Sequence, residues 1–274
     1  MSLWLLNNFS TTALTVVIVG GTVVLAVLGS VLLRRRYPSL SRGEHNDMVG
    51  VTLGMFGAIY GIILAFVIVT LWTQLENTQT IVASEATEAA LIARDAAAFP
   101  PPVRARVDEA LSGYVHGVVE DQWPKMREGV PSYGATASKL QDVYAALQGY
   151  DPASAREEVF YESAVAHLDA VAAQRRARLT MAEQQLPPLL QLLAFGGALV
   201  LIPLTFLYGM RKRRIQLLFV ASVAGLIGFS LLLVLVLDRP FAGDLSVSPA
   251  PYREGALERY WTPVSPPGTH PTAS

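Results

Sequence analysis

Four uninterrupted apolar runs, at residues 13–33, 48–72, 189–208 and 215–237, constrain this chain more than anything else in it. They hold 21, 25, 20 and 23 residues, and a helix of about 20 residues crosses a hydrocarbon core of roughly 30 Å. None of them contains an Asp, Glu, Lys, Arg or His. Lipid offers nothing to an unpaired peptide group, so each run has to be a helix. The chain therefore reads as an all-α membrane protein with four transmembrane helices. The missing intramembrane charge counts against proton relays, ion-coupled carriers and voltage sensors, which are built from such residues. Cysteine is absent, which removes disulfides and thiolate metal sites.

Charge outside the runs orients them. The loop at 34–47 carries Arg34, Arg35, Arg36 and Arg42 against Glu44 and Asp47, and the loop at 209–214 carries Arg211, Lys212, Arg213 and Arg214. Residues 73–188 hold ten basic and sixteen acidic side chains. Short basic loops stay in the cytoplasm, so the pattern expects a cell-membrane protein with the N-terminus, residues 73–188 and the C-terminus outside. The first run is expected to be a retained span. No positive charge precedes it, it is long for a signal h-region, and its basic cluster follows it.

Four segments follow from this reading: a membrane helical pair at 1–72, an acidic helical extramembrane domain at 73–188, a second membrane pair at 189–237 and a Pro-rich tail at 238–274. Beyond Trp72 the apolar rhythm continues through Leu75, Val82, Ala89, Ile92 and Ala96 until Pro100, Pro101 and Pro102, so the second span is expected to extend as one long helix. Asp151 and Pro152 predict the start of another long helix, running to Leu186 before Pro187 and Pro188 break it. Between them Val103, Val107, Leu111, Val115 and Val118 form the stripe of a helix ending near Trp123-Pro124. A loop at 129–134 and a short helix at 135–148 follow. The tail holds Pro240, Pro249, Pro251, Pro263, Pro266, Pro267 and Pro271, which forbid continued helix and predict an irregular or disordered segment.

Within the second span Gly50, Gly54, Gly57 and Gly61 recur at spacings of 4, 3 and 4, a sector of about 60° on one helix face. Small residues let membrane helices approach closely, so this seam is read as helix packing. Ala221, Ser222, Gly225 and Gly228 make a weaker seam in the fourth span, placed to face the first. Away from the glycines lie Phe56, Tyr60 and Ile63, with Leu64 at the border, a column that suits either lipid or an apolar constriction. Pro203 predicts a kink in the third span.

His45, His116, His167 and His270 stand in no metal-ligand spacing, and adjacent carboxylates such as Glu157 and Glu158 diverge by about 100° on a helix. No nucleophile and base, metal cluster or phosphate loop is visible, so neither catalysis nor a cofactor is expected. Arg175, Arg176 and Arg178 sit in an acidic segment without interleaved aromatics, which gives nucleic-acid binding no support. The expected partners are the lipid bilayer and further copies of the chain, with any other protein partner unknown.

Four stretches, taken in order, carry a resemblance: residues 57–66 (GAIYGIILAF), Glu85-Ala86, residues 120–124 (EDQWP) and residues 237–241 (LDRPF). Together they resemble the bacterial bestrophin-like domain family over nearly the whole chain. That resemblance implies kinship with bestrophins, pentameric anion channels whose second span lines the pore with an apolar aromatic neck. Phe56, Tyr60 and Leu64 would then be the pore-lining candidates. Two features depart from bestrophins: the charge bias puts the helical insert outside instead of in the cytosol, and an acidic vestibule repels anions. The reading leaves a homo-oligomeric ion-conducting pore, with a non-conducting scaffold or sensor whose outer domain binds a partner as the alternative.

Overall fold

A computed structural model of the chain describes residues 2–38, 43 and 45–262. Arg42, Glu44, His270 and the four prolines from Pro263 onward lie outside the described residues. Four helices are long and apolar enough to cross a membrane, and among the described residues there is no strand. The protein is an all-α, multi-pass membrane protein. The described residues divide into two compact units, one within residues 1–77, 127–129 and 183–247, the other within residues 78–126, 130–182 and 248–262.

The first unit holds α1 (Ser2–Asn8), α2 (Thr11–Arg36), the first part of α3 (Asn46–Asp95), α8 (Pro188–Phe206) and α9 (Arg213–Leu237). Ser10 caps α2 in the extended conformation, its Oγ accepting from the Ala13 N–H at 3.2 Å. The most extensive packing joins α2 to α9. Leu6, Leu14, Leu232, Val236 and Ala242 form a core at one end of the pair, and Ala26, Phe206, Val220 and Ala224 form a second.

The small-residue seam of α9 faces α2 and not α3, contrary to the sequence expectation. A Cβ added at Gly228 would lie 3.1 Å from the Thr22 Cβ and 3.4 Å from the Val19 Cα, and one at Gly225 would lie 3.5 Å from Val23. The reason lies in α2, where Thr22, Ala26 and Ser30 recur every four residues and give α9 a matching flat face. Pro203 sits inside α8, which runs on to Phe206 without a break.

In the second unit are the rest of α3, α4 (Pro101–His116), a π-helical turn (Gly117–Gln122), most of α5 (Trp123–Arg127), α6 (Ala137–Gln148) and α7 (Ala155–Glu183). α3 is continuous over 50 residues, roughly 75 Å at the rise of an α-helix. Val82, Ala89, Ile92 and Ala96 are buried, as their rhythm predicts. Pro101 and Pro102 open α4, because proline tolerates a helix's first turn while it ends the turn before.

The start of α7 corrects the sequence reading. Asp151 and Pro152 precede the helix, and Ser154 accepts from the Glu157 N–H at 3.2 Å while the Glu157 carboxylate accepts from the Ala153 N–H at 3.0 Å. The two bonds fix the helix start at S-x-x-E in the manner of a capping box, with Glu157 reaching the residue before the cap, a stronger start signal than Asp-Pro three residues earlier. The helix ends at Glu183, and the chain is non-helical until Pro188 opens α8.

The described part of the tail is irregular but packed. Phe241, Ala242 and Val247 are buried in the first unit, and Tyr252 and Leu257 in the second, on two short 3-10 turns at Ala250–Arg253 and Gly255–Tyr260.

Candidate functional site

Two places in the molecule concentrate its chemistry: the face of α3 in the first unit and a polar centre in the second. On α3, Val49, Tyr60, Leu64, Val67 and Leu71 are buried, and the opposite side leaves Val51, Met55, Ile59, Ile62, Phe66 and Val69 exposed. Tyr60 is anchored: its hydroxyl donates to the Ala194 carbonyl at 2.8 Å, and its ring lies against Gly197, where any Cβ would collide with it. Of Phe56, Tyr60 and Leu64, therefore, Tyr60 (8% exposed) and Leu64 (6%) turn into the chain's own helices, and Phe56 (48%) faces outward.

The glycine seam is open. A Cβ at Gly54, Gly57 or Gly61 would meet nothing within 4 Å, and one at Gly50 would touch only the Tyr208 ring, at 3.5 Å. Gly57 and Gly61 instead line an apolar groove of about 420 Å³, whose far wall is Phe219, Val223, Leu226 and Ile227 of α9. At the basic end, Arg34 donates to the Tyr208 carbonyl at 2.8 Å and the Met210 carbonyl at 3.4 Å. The Asn46 amide both donates to the Gly209 carbonyl and accepts from its N–H, each at 2.7 Å. Arg35, Arg36, Arg211, Lys212, Arg213 and Arg214 remain exposed around these ties.

In the second unit Arg178 and Glu85, both fully buried, form an ion pair. The Arg178 Nε meets Glu85 Oε2 at 2.7 Å and Nη2 meets Oε1 at 3.1 Å. Nη2 also donates to Gln122 Oε1 at 2.8 Å, Nη1 to the Met126 sulfur at 3.4 Å, and the guanidinium carbon lies 5.9 Å from the Trp123 ring centroid. The Tyr114 hydroxyl completes the carboxylate's shell at 2.6 Å. Burial, and after it the Glu85 charge, raises the Tyr114 and Tyr252 phenols well above their ordinary range, so both stay protonated at any physiological pH. The centre joins α3, α4, the π turn and α7 with each charge answered by another, as buried charge requires.

Sequence reasoning misses this centre, although Glu85, Gln122 and Trp123 all stand in the stretches that carry the family resemblance. A usable signal was present: Glu85 interrupts the buried stripe Val82, Ala86, Ala89, and Arg178 interrupts Leu168, Val171, Leu179, Ala182. One carboxylate and one guanidinium on apolar faces are each other's natural partners. His167, which stands in no metal-ligand spacing in the sequence, has its Nδ1 2.6 Å from Glu88 and its Nε2 3.6 Å from Asp95. Among the described residues no cluster of three or more His, Asp or Glu side chains is placed to hold a metal ion.

A sequence model of the Bestrophin-like domain matches residues 20–252, most of the chain. The chain belongs to the Bestrophin-like family. No curated protein and no solved structure matches it. In this Bestrophin-like protein the stretches that carried the resemblance have structural work to do. Residues 57–66 make the anchored side of α3 and part of its groove, and Glu85 with Gln122 and Trp123 builds the polar centre. Asp238 accepts from the Leu186 N–H at 2.6 Å, tying the non-helical stretch before α8 to the end of α9.

Proposed function

We propose that this Bestrophin-like protein is a homo-oligomeric pore of the cell membrane, with α3 forming the contact between copies. The observation that carries the reading is the glycine seam. Gly54, Gly57 and Gly61 open onto space that the described residues leave empty, beside a continuous stripe of exposed large apolar side chains. Membrane helices gain by bringing backbones together at small residues, and bare lipid gives them no such gain. The uncharged spans favour passive conduction over coupled transport. The basic loops at 34–47 and 209–214 favour a cytoplasmic position for those loops, which puts the acidic helical domain outside. Sixteen acidic against ten basic side chains there favour cations. On this reading Phe56, exposed on α3, is the neck candidate best placed to line the path.

One observation supports the alternative of a non-conducting scaffold or sensor: Tyr60 and Leu64, two of the three neck candidates, are held inside the chain's own bundle. Planar-bilayer recording of the purified protein separates the two. Discrete current steps with a cation-biased reversal potential are expected. Silent bilayers from protein that remains folded and oligomeric would leave the scaffold.

A further inference from the structure

The first unit contains a second cavity, of about 260 Å³, where the last turn of α2 meets the start of α9. Arg34, Arg35, Arg211 and Arg213 line it together with Ser30 and Gln216, and among the described residues no carboxylate does. Three of the residues that line it carry buried polar atoms without partners among the described residues. Among the described residues nothing pairs with the hydroxyl of the fully buried Ser30, with the Oε1 of Gln216, which is 1% exposed, or with the Arg34 Nε. A buried polar atom left unpaired costs free energy, so three of them on residues around one basic cavity favour a ligand that answers them once these side chains turn toward it.

The donors and acceptor define that ligand. The Ser30 hydroxyl and the Arg34 Nε–H ask for an anionic oxygen, and the surrounding arginines supply the countercharge. The Gln216 Oε1 asks for a hydroxyl or N–H donor on the same molecule. The cavity is far larger than a monatomic anion needs. Its depth is also informative: Ser30 lies near the end of the first apolar run and Gln216 at the start of the fourth, where hydrocarbon gives way to the head-group layer. We infer that this cavity binds the phosphate head group of an anionic membrane lipid, with a hydroxyl of that head group donating to Gln216. Basic pockets between membrane helices suit such head groups. The inference does not depend on whether the protein conducts.

Native mass spectrometry of the full-length protein in a neutral detergent tests it, with phosphatidylglycerol, phosphatidylcholine and inorganic phosphate as separate probes. One phosphatidylglycerol per chain should be retained and phosphatidylcholine should not. Because Arg34 also holds the Tyr208 and Met210 carbonyls, Arg34→Gln risks the fold. Ser30→Ala and Arg213→Gln are the working variants, and Arg213→Gln should weaken phosphatidylglycerol retention roughly fivefold. Equal retention of phosphatidylcholine, or unchanged phosphatidylglycerol retention in the Ser30→Ala, Arg213→Gln double variant, would overturn the inference. Binding of inorganic phosphate as tight as that of the lipid would overturn the lipid source.

Discussion

Replacing Arg178 with Met tests the polar centre of the second unit. The substitution keeps most of the side-chain volume and removes the guanidinium, and with it two hydrogen bonds to Glu85 and one to Gln122. Glu85 then remains fully buried with the Tyr114 hydroxyl as its closest donor. Removing one partner of a buried ion pair costs about 3–5 kcal/mol, and in a chain of this size that lowers the melting temperature by roughly 6–20 °C. The double variant Arg178→Met, Glu85→Gln removes both charges and should recover most of the loss, because a neutral replacement of a whole buried pair is often close to neutral in stability. Thermal unfolding of detergent-solubilised protein, followed by far-UV circular dichroism, reads all three. If Arg178→Met melts within about 2 °C of the parent, or the double variant is no better than the single one, the centre does not hold the unit together as argued.

Gly197→Ala should destabilise the first unit, since the new Cβ runs into the Tyr60 ring while the hydroxyl of that ring is fixed on Ala194; a normal melting temperature would mean that the ring moves freely. Burial raises the pKa of Asp238, against the opposing pull of the Leu186 N–H and Arg239, so the ionised form is the costly one when folded. The stability this group contributes is present at low pH and lost as pH rises through its folded pKa. Asp238→Asn, which keeps an acceptor for Leu186, should therefore equal or exceed the parent's stability at neutral pH, with the gap closing on acidification, whereas Asp238→Ala should cost about 1–3 kcal/mol; melting curves across pH distinguish these. Single cysteines introduced at Ser132 and at Ser41, the latter outside the described residues, can be labelled in intact cells with an impermeant thiol reagent. Ser132→Cys alone should react, and labelling of Ser41→Cys would invert the topology.

The helices were legible because their signals are local. Uncharged runs, proline punctuation and the spacing of Val82, Ala89 and Ile92 each depend only on near neighbours in the chain. One miss is local: the start of α7 is set by Ser154 and Glu157, a signal that outweighs Asp151 and Pro152. In the others the decisive partner lies far along the sequence. The pairing of Glu85 with Arg178 spans 93 residues and needs the fold to bring α3 and α7 together. The α9 seam was sent to the wrong helix because periodicity says which face is flat and nothing about which neighbour meets it; Thr22, Ala26 and Ser30 of α2 decide that. Tyr60 shows the same limit, since its position on α3 is compatible with a pore until the Ala194 carbonyl is seen to hold it.

The central claim is that the uncovered face of α3 is where copies of this chain meet, and the absence of native cysteine allows a direct measurement. Single cysteines at Gly57, Gly61 and Ile59, with Val16 on the exposed side of α2 as the comparison, can be oxidatively crosslinked in native membranes and resolved by size. Covalent dimers are expected at the α3 positions, with little product at Val16. Crosslinking at Val16 with none along α3 would contradict the central claim.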